Sequence, residues 1–453
     1  MPMRVSTDPM ADPPPTTVEA ALRRLDPLID ARGSLINLVT RIPMTTGRQR
    51  FPVYSAGLGD PGAILPGTAN ARGLMKWAAL DGAGSGLVEE SARLTATVET
   101  IERYSSCLWD SEQFRWASAR SLGDEALDLS RVPRCSESEL ASPACPVQAP
   151  DLDAPMRWVR GVDLATGEPR WVPAVMVYLH IPVVSRGERF WLPISTGTAA
   201  HFDYDRALLG AVLECVERDG IALTWLQRLA LPRIEIDVSD PELDQALEVS
   251  ARSGLRTFFF DATTDLGIPT VYSVDIDPQA TKVRTYVMCA TELDPRRAVL
   301  KVMRESSSGR LAMQYRKPHD KPLDDYIDVF DGAVHMAAAE REHAFDFLLD
   351  SPHRRRLSDI APAVPDSPAE RLSWVVGRLR DAGCTAYAVD ITSDEARATG
   401  LRVVRVIVPE LVPLSFSYRA RFLGTTRLYT APERMGLPAH AEPDLNPWPQ
   451  PFA

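Results

Sequence analysis

The sequence predicts an α+β protein, mixed α/β in content, from three observations. Segments with apolar residues at helical spacing alternate with short runs of β-branched and aromatic residues. Several of these runs, Thr257 to Phe260 among them, are followed by a polar turn and a second strand, which favours hairpins over a doubly wound parallel sheet. Of the 453 residues, 45% are hydrophobic, enough for one large core or two medium ones without disulfides or a structural metal.

Along the chain, residues 1 to 17 carry Pro2, Pro9 and Pro13-Pro14-Pro15 with almost no large apolar groups, and read as a disordered tail that cannot offset the entropy of ordering. Amphipathic helices are expected over Val88 to Leu108, Tyr204 to Leu226, Glu242 to Ser253, Pro295 to Glu305, Met336 to Leu349 and Pro368 to Ala382. Strands are expected over Trp171 to His180, Ile234 to Val238, Thr257 to Phe260, Val271 to Asp275, Arg284 to Met288, Ala386 to Asp390 and Val403 to Ile407.

Fifty basic against sixty-one acidic side chains give a net charge of -11, which argues against general affinity for nucleic acid or anionic membrane while leaving room for a local basic groove. The longest apolar stretch, Val172 to Val184, is interrupted by His180 and is too short to span a bilayer. Six cysteines without a Cys-x-x-Cys pair suit reduced thiols, so a soluble cytoplasmic protein is expected.

One long-range echo carries chemistry. A Gly-rich turn, Gly82 to Gly86, precedes a helix ending in Glu99-Thr-Ile-Glu102-Arg103; a small-residue turn, Ser195 to Ala200, precedes a helix carrying Glu214-Cys-Val-Glu217-Arg218. Residues at i and i+3 share a helix face, so each motif sets two carboxylates side by side among apolar neighbours, and such acids need cations. A single Glu-x-x-Glu-Arg would read as a solvated face; the duplicate suggests two halves of one site. Magnesium bridging Glu99, Glu102, Glu214 and Glu217 to phosphate oxygens would supply the charge. Arg103 and Arg218 could pair with carboxylate or phosphate, and backbone N–H groups of the two turns could meet phosphate. A third element sets Lys301 and Glu305 one turn apart, with Arg310 just beyond.

These residues resemble the YcaO family, from about Gly33 to the C-terminus. The resemblance rests on Gly84-Ser85-Gly86-Leu87 before Glu-Thr-Ile-Glu-Arg-Tyr, Trp158 to Gly161 with Val172 to Ala174, Ser195 to Ala200 before Glu-Cys-Val-Glu-Arg-Asp, Phe260 to Pro269, and Glu305 to Arg310. It implies a mixed α/β fold whose paired carboxylate helices surround one site for ATP and Mg2+. Glu99, Glu102, Glu214 and Glu217 would then be on the metal, and Ser85, Arg103, Ser195, Thr196, Arg218, Lys301, Glu305 and Arg310 on the nucleotide. The Pro-x-Pro-x-Pro run Pro447, Pro449, Pro451, two residues before Ala453, resembles the tail of azoline-forming members, in which the chain end lies near the active site. The implied division is a catalytic domain over residues 18 to 430 and a Pro-rich tail over 431 to 453 that reaches the site. The implied reaction is ATP-driven cyclodehydration of Cys, Ser or Thr in a ribosomally made precursor peptide to thiazoline or oxazoline, through phosphorylation of the backbone amide oxygen. A thioamide- or amidine-forming member and a non-catalytic scaffold are the alternatives. Implied partners are the leader-bearing precursor, a separate leader-binding protein of ubiquitin-activating-like type, a flavin dehydrogenase and a second copy of the chain. With only a short tail before the core, no fused leader-binding domain is expected.

The chain departs from the family pattern at Ser85 for Lys, His201-Phe202 for Gly-Asn, Arg206 for Glu and Ser308 for Gln, which leaves the carboxylate framework intact. His201 in its turn, Cys135 and Cys145 without a nearby His, and Cys215 inside a carboxylate helix are read as structural or solvated; the basic run His353 to Arg356 is read as a solvated face, with an acidic leader peptide as the alternative partner.

Overall fold

The computed structural model describes residues 13–43, 51–58, 80–318 and 320–452. Most of the tail expected over residues 1 to 17, and Ala453, lie outside these. Three sheets frame the site. Leu38–Arg41, Val53–Gly57 and Gly82–Ser85 form a three-stranded antiparallel sheet. Arg115–Ala117, Met156–Asp163, Tyr387–Asp390, Arg402–Ile407 and Thr198–His201 follow one another across an antiparallel sheet, with Pro169–Pro173 also paired to Met156–Asp163. The third sheet runs Thr285–Thr291, Thr270–Ile276, Arg256–Asp261, Arg233–Glu235 and Arg354–Arg356, its last pair parallel.

The helix Tyr204–Leu226 joins two cores. Its first half, with Leu208, Ala211, Val212 and Val216, packs on Val404 and Val406. Its second half, with Ile221, Trp225 and Leu226, packs with Tyr272, Val274 and Phe452. Asp203 starts the helix by accepting the Arg206 N–H at 2.9 Å, a conventional N-cap.

Both segments read as Gly-rich or small-residue turns contain strands. The Gly82–Ser85 strand lies directly on the helix Glu89–Ser106. A Cβ on Gly82 would stand 2.2 Å from the Ala96 carbonyl oxygen, and one on Gly84 2.2 Å from that of Ala92, so these glycines serve close packing rather than turn geometry. In the second copy Gly197, at φ 83°, leads into Thr198–His201, and its Cβ would meet the Val406 carbonyl at 2.2 Å.

Three other expectations are corrected. The strand expected over Trp171 to His180 stops at Pro173, which caps a buried helical turn, Ala174–Val177; proline has no N–H for the ladder. The helix expected over Met336 to Leu349 is broken: Val329–Met336 ends where the Arg284 and Thr285 amides take the Ala337 carbonyl (2.7 and 3.2 Å), and a 3-10 stretch, Ala339–Phe345, follows. The helix from Pro295 runs on to Tyr315, because its Ser306-Ser307-Ser308-Gly309 run is packed inward. Ser306 donates to Asp275, Ser307 donates to the Met303 carbonyl at 3.2 Å, and Gly309 lies against the Tyr286 hydroxyl.

Candidate active site

The two carboxylate motifs use the same local design. In the first, the Ala83 N–H donates to one oxygen of Glu99 (2.7 Å) while Arg103 donates to the other (2.7 Å) and to the Asp81 carbonyl (2.6 Å). In the second, the Gly197 N–H donates to one oxygen of Glu214 (2.9 Å) and Arg218 to the other (3.3 Å). The leading acid of each pair is therefore held by its own strand and its own arginine, and the second acid is left to the site. Glu217, buried, accepts from the Thr291 N–H and from Lys301 Nζ, both at 3.0 Å. Glu102 has Glu214 of the other carboxylate helix and Glu99 of its own helix as acidic neighbours. Burial, then these two neighbours, hold its carboxyl well above the ordinary value, with Arg103 and an Ala200 amide opposing only in part.

Lys301 and Glu305 complete the cluster. Burial disfavours the Lys301 ammonium, yet Glu217, Glu305 and Glu292 outweigh it and hold its proton above the usual range. Glu305 is raised to about 7, chiefly by burial and also by Glu217, against the pull of Lys301, Arg304 and Arg218. Ser85 is near but otherwise engaged: its hydroxyl donates to the Arg304 carbonyl at 2.5 Å and ties the first sheet to the helix Pro295–Tyr315. The Ser195 carbonyl accepts the Thr198 N–H at 3.0 Å, closing the turn that carries Thr196. Arg310 points elsewhere, donating to the Val283 carbonyl at 2.9 Å with Asp277 at 3.8 Å. Pro449, Pro451 and Phe452 are buried while Pro447 lies at the surface, its carbonyl accepting from the Tyr418 hydroxyl at 2.7 Å. Phe452 meets Tyr272 edge-on at 5.4 Å; Tyr272 pairs with Cys289, whose neighbours include Glu217 and Lys301.

Which groups would this arrangement accept? Three buried polar atoms around the cluster have no hydrogen-bond partner: Thr196 Oγ1, Arg218 Nε and Arg304 Nε. Such orphans call for an explanation, and a hydroxyl with two guanidinium N–H groups fits a phosphate. Magnesium fits less directly. Among the described residues no three His, Cys, Asp or Glu side chains converge as a metal-holding set, because Glu99, Glu214 and Glu217 are each drawn onto a cation of their own. Glu102 is the acid whose negative environment is only partly compensated.

Sequence reasoning missed Arg405. Buried in a strand that otherwise reads as apolar, Val-Val-Arg-Val-Ile, it donates to the Ile194 carbonyl (2.6 Å), the Thr198 hydroxyl (2.9 Å) and the Met176 carbonyl (3.2 Å). It props the Ser195–Thr198 turn from beneath, with Glu214 and Glu102 among its charged neighbours. A charged residue at a core position was the available signal. Arg304 was likewise passed over, its Nε buried beside Lys301 on the same helix.

Paired acids on two related helices gather with Lys301, Arg218 and Arg304 into one charge-rich cluster. The chain belongs to the YcaO family: the family model described as YcaO cyclodehydratase, ATP- and Mg2+-binding, matches residues 83–412. The chain superposes on a heterocyclase in complex with substrate and cofactor with a TM-score of 0.81 at 24% identity, covering 100% of this chain and 59% of that one. It is also similar to YcaO from Methanopyrus kandleri bound with AMPPCP and Mg2+ (TM-score 0.62, 19% identity, 87% of this chain and 91% of that one). These likenesses are of fold. Among curated proteins it is 29% identical to an uncharacterized protein in the tfuA 3' region of Rhizobium leguminosarum bv. trifolii over 50% of this chain and 54% of that protein. The chain thus spans little more than half of that relative and of the heterocyclase. Among the described residues no helix is long and apolar enough to cross a membrane.

Proposed function

We propose that this chain is an ATP- and magnesium-dependent cyclodehydratase acting on Cys, Ser or Thr of a ribosomally made precursor peptide. The observation that carries the reading is Glu102, an acid set against Glu99 and Glu214 in a cluster where the Nε–H groups of Arg218 and Arg304 lack acceptors. Magnesium, held by Glu99, Glu102, Glu214 and Glu217 once their arginine and lysine partners yield, would neutralise phosphate charge. Arg218, Arg304 and Thr196 would donate to phosphate oxygens, and Lys301 would add a fixed cation; charge neutralisation of this kind is the main catalytic need in phosphoryl transfer.

In the proposed reaction the substrate thiol or hydroxyl gives up its proton and adds to the preceding carbonyl carbon, and the resulting amide oxyanion takes the γ-phosphoryl group of ATP, releasing ADP. Loss of phosphate with the amide proton leaves the C=N bond of a thiazoline or oxazoline. The tail, anchored by buried Phe452 behind the strand that carries Cys289, supports a role for the chain end beside Glu217 and Lys301, with Pro447, Pro449 and Pro451 keeping the approach extended. A separate leader-binding protein would present the peptide, a flavin dehydrogenase would act on the product, and the chain would pair with a second copy. The test is to mix chain, partner, precursor, ATP and magnesium: each ring lowers the peptide mass by about 18 Da, one water. Unchanged mass with the correct precursor rejects the reading, and a gain in mass by sulfur transfer points to thioamide formation.

A further inference from the structure

One corner of the third sheet gathers arginines that the carboxylate cluster does not use. Arg354 lies opposite Arg233, Arg356 opposite Glu235, and Arg233 opposite Phe260. Partners in register share a face of the sheet, and alternation along Arg256–Asp261 brings Arg256 and Phe258 onto it too. On that face the three strands carry Arg233, Arg256, Arg354 and Arg356 against a single acid, Glu235. Their other acid, Asp261, lies on the opposite face and takes Arg355 at 2.6 Å. Two guanidinium groups share one ring: Arg233 stands 4.5 Å and Arg256 5.3 Å from the centre of Phe258. Among the described residues, none of the four arginines on this face has a carboxylate at ion-pair distance, whereas Arg355 does. Burial, then Arg354 and Arg256, disfavour the charge on Arg233, and Glu235 alone among its charged neighbours opposes them. Asp346 and Asp350, exposed acids of the segment that leads to Arg354, are not among those neighbours.

We infer that this corner is a docking surface for an acidic, extended segment of a polypeptide partner, with carboxylates at alternate positions. Short charged edge strands commonly guard a sheet against unwanted pairing. That reading accounts for Arg354 and Arg356, on the last strand, but not for Arg233 and Arg256, which belong to strands further in and crowd one half-buried ring. Unpaired like charges held together favour an anion between them. The spacing selects its form: Arg354 and Arg356 repeat at roughly 6.6 Å, the interval of same-side side chains in an extended chain. The Arg233 N–H donates to the His353 carbonyl at 2.9 Å, so strand alternation turns the Arg354 N–H and C=O to the open edge, where a peptide backbone can pair with them. Phe258 offers apolar contact to a residue between the acids. Nucleic acid is the weaker occupant, since it has no peptide backbone to pair and a net charge of -11 opposes a long polyanion. The corner is also separate from the nucleotide site. From Arg233 through Phe260 and Tyr272 to Cys289, the residue near Glu217 and Lys301, there are three strand spacings, about 14 Å.

Two fluorescein-labelled peptides of one composition test it, Glu-Val-Glu-Val-Glu and Glu-Glu-Glu-Val-Val, titrated with the full chain and followed by anisotropy. The alternating peptide is expected to bind roughly tenfold tighter, and its affinity to fall as salt rises. R256E and R354E change exposed side chains, so thermal melts should match wild type. Each should lower affinity for the alternating peptide about tenfold, and Lys-Val-Lys-Val-Lys should gain on both. Saturating ATP and magnesium should leave the bound peptide in place. Equal affinity for the two acidic peptides, or variants that melt and bind as wild type does, overturns the inference. So does displacement by ATP, which would put the peptide in the nucleotide's site, and so does a uridine oligonucleotide of matched charge that binds as tightly. No turnover is read, so the outcome is independent of the proposed reaction.

Discussion

Glu102→Gln separates stability from function with opposite signs. In the folded chain Glu102 faces Glu214 and Glu99 with only Arg103 and one amide in compensation, and burial with these acids raises its carboxyl well above the ordinary 4.5. Gln keeps the shape and removes the charge that the acidic neighbours oppose; a pKa raised by one unit corresponds to about 1.4 kcal/mol, and for a half-buried group the expected gain is about 1 to 2 kcal/mol where the carboxylate would be charged. Unfolding entropy near 2.1 cal/mol/K per residue over 453 residues makes each kcal/mol about 1 °C in Tm, so the variant should melt about 1 to 2 °C higher. The sign with pH follows from linkage. A raised folded value means that wild-type stability from this group is present below 4.5 and lost as pH rises through the folded value. The gain of E102Q should therefore be small at about pH 5 and larger at about pH 8. ATP hydrolysis should fall by orders of magnitude, and the Tm rise that ATP and magnesium give the wild type should shrink. The assay is thermal melting with and without ATP and magnesium at both pH values, together with phosphate release. A variant that melts lower than wild type at the higher pH and still hydrolyses ATP refutes the placement of Glu102 at the metal.

Three further outcomes are expected. Glu305→Gln should flatten the part of the stability profile between the ordinary 4.5 and about 7, where raised Glu305 makes the wild type lose stability as pH rises; an unchanged slope in urea melts across that window would count against its burial. Gly84→Ala, whose Cβ would lie 2.2 Å from the Ala92 carbonyl, should cost about 1 to 3 kcal/mol and lower ATP turnover, because the strand must lift and take the Ala83 amide from Glu99. Wild-type stability would mean that the strand packs differently. Phe452→Ala should cost about 3 to 5 kcal/mol in denaturant melts, and in the folded fraction turnover should fall more than ATP affinity. Equal loss of both would make the tail a folding element only.

The fold was legible where periodicity was strong and local. The helix Tyr204–Leu226 matches the sequence expectation at both ends, because its apolar positions are nearly continuous and Asp203 caps it. The strands Gly82–Ser85 and Thr198–His201 were not legible, because small residues at their positions signal a turn locally, and only a helix at van der Waals distance gives them another purpose. The break at Ala337 was hidden for the same kind of reason: the Arg284 and Thr285 amides that claim its carbonyl come from another sheet. At the site, the pairing of Glu99 with Arg103 and Glu214 with Arg218 follows from i,i+4 spacing. Lys301 on Glu217 and Arg405 under Thr198 are contacts across 84 and 207 residues, and no local pattern encodes them.

One helix touches both the carboxylate cluster and the final segment. Directly after Glu217 and Arg218, Asp219 is fully buried and takes Arg427 in a two-oxygen pair at 2.8 and 2.9 Å, while also accepting the Val412 amide at 2.9 Å. Arg427 also holds Asp265 at 2.7 Å. A buried ion pair contributes little net stability against apolar packing, since desolvation offsets most of the attraction, whereas removing one partner is costly. What the pair does well is fix register: it sets the start of the helix Arg427–Arg434 against the turn of the second carboxylate helix that carries Glu217. Trp225, two turns further along that helix, then donates to the Trp448 carbonyl at 3.2 Å, and Phe452 closes on Tyr272. The final segment is thus indexed to the carboxylates by the helix that bears two of them.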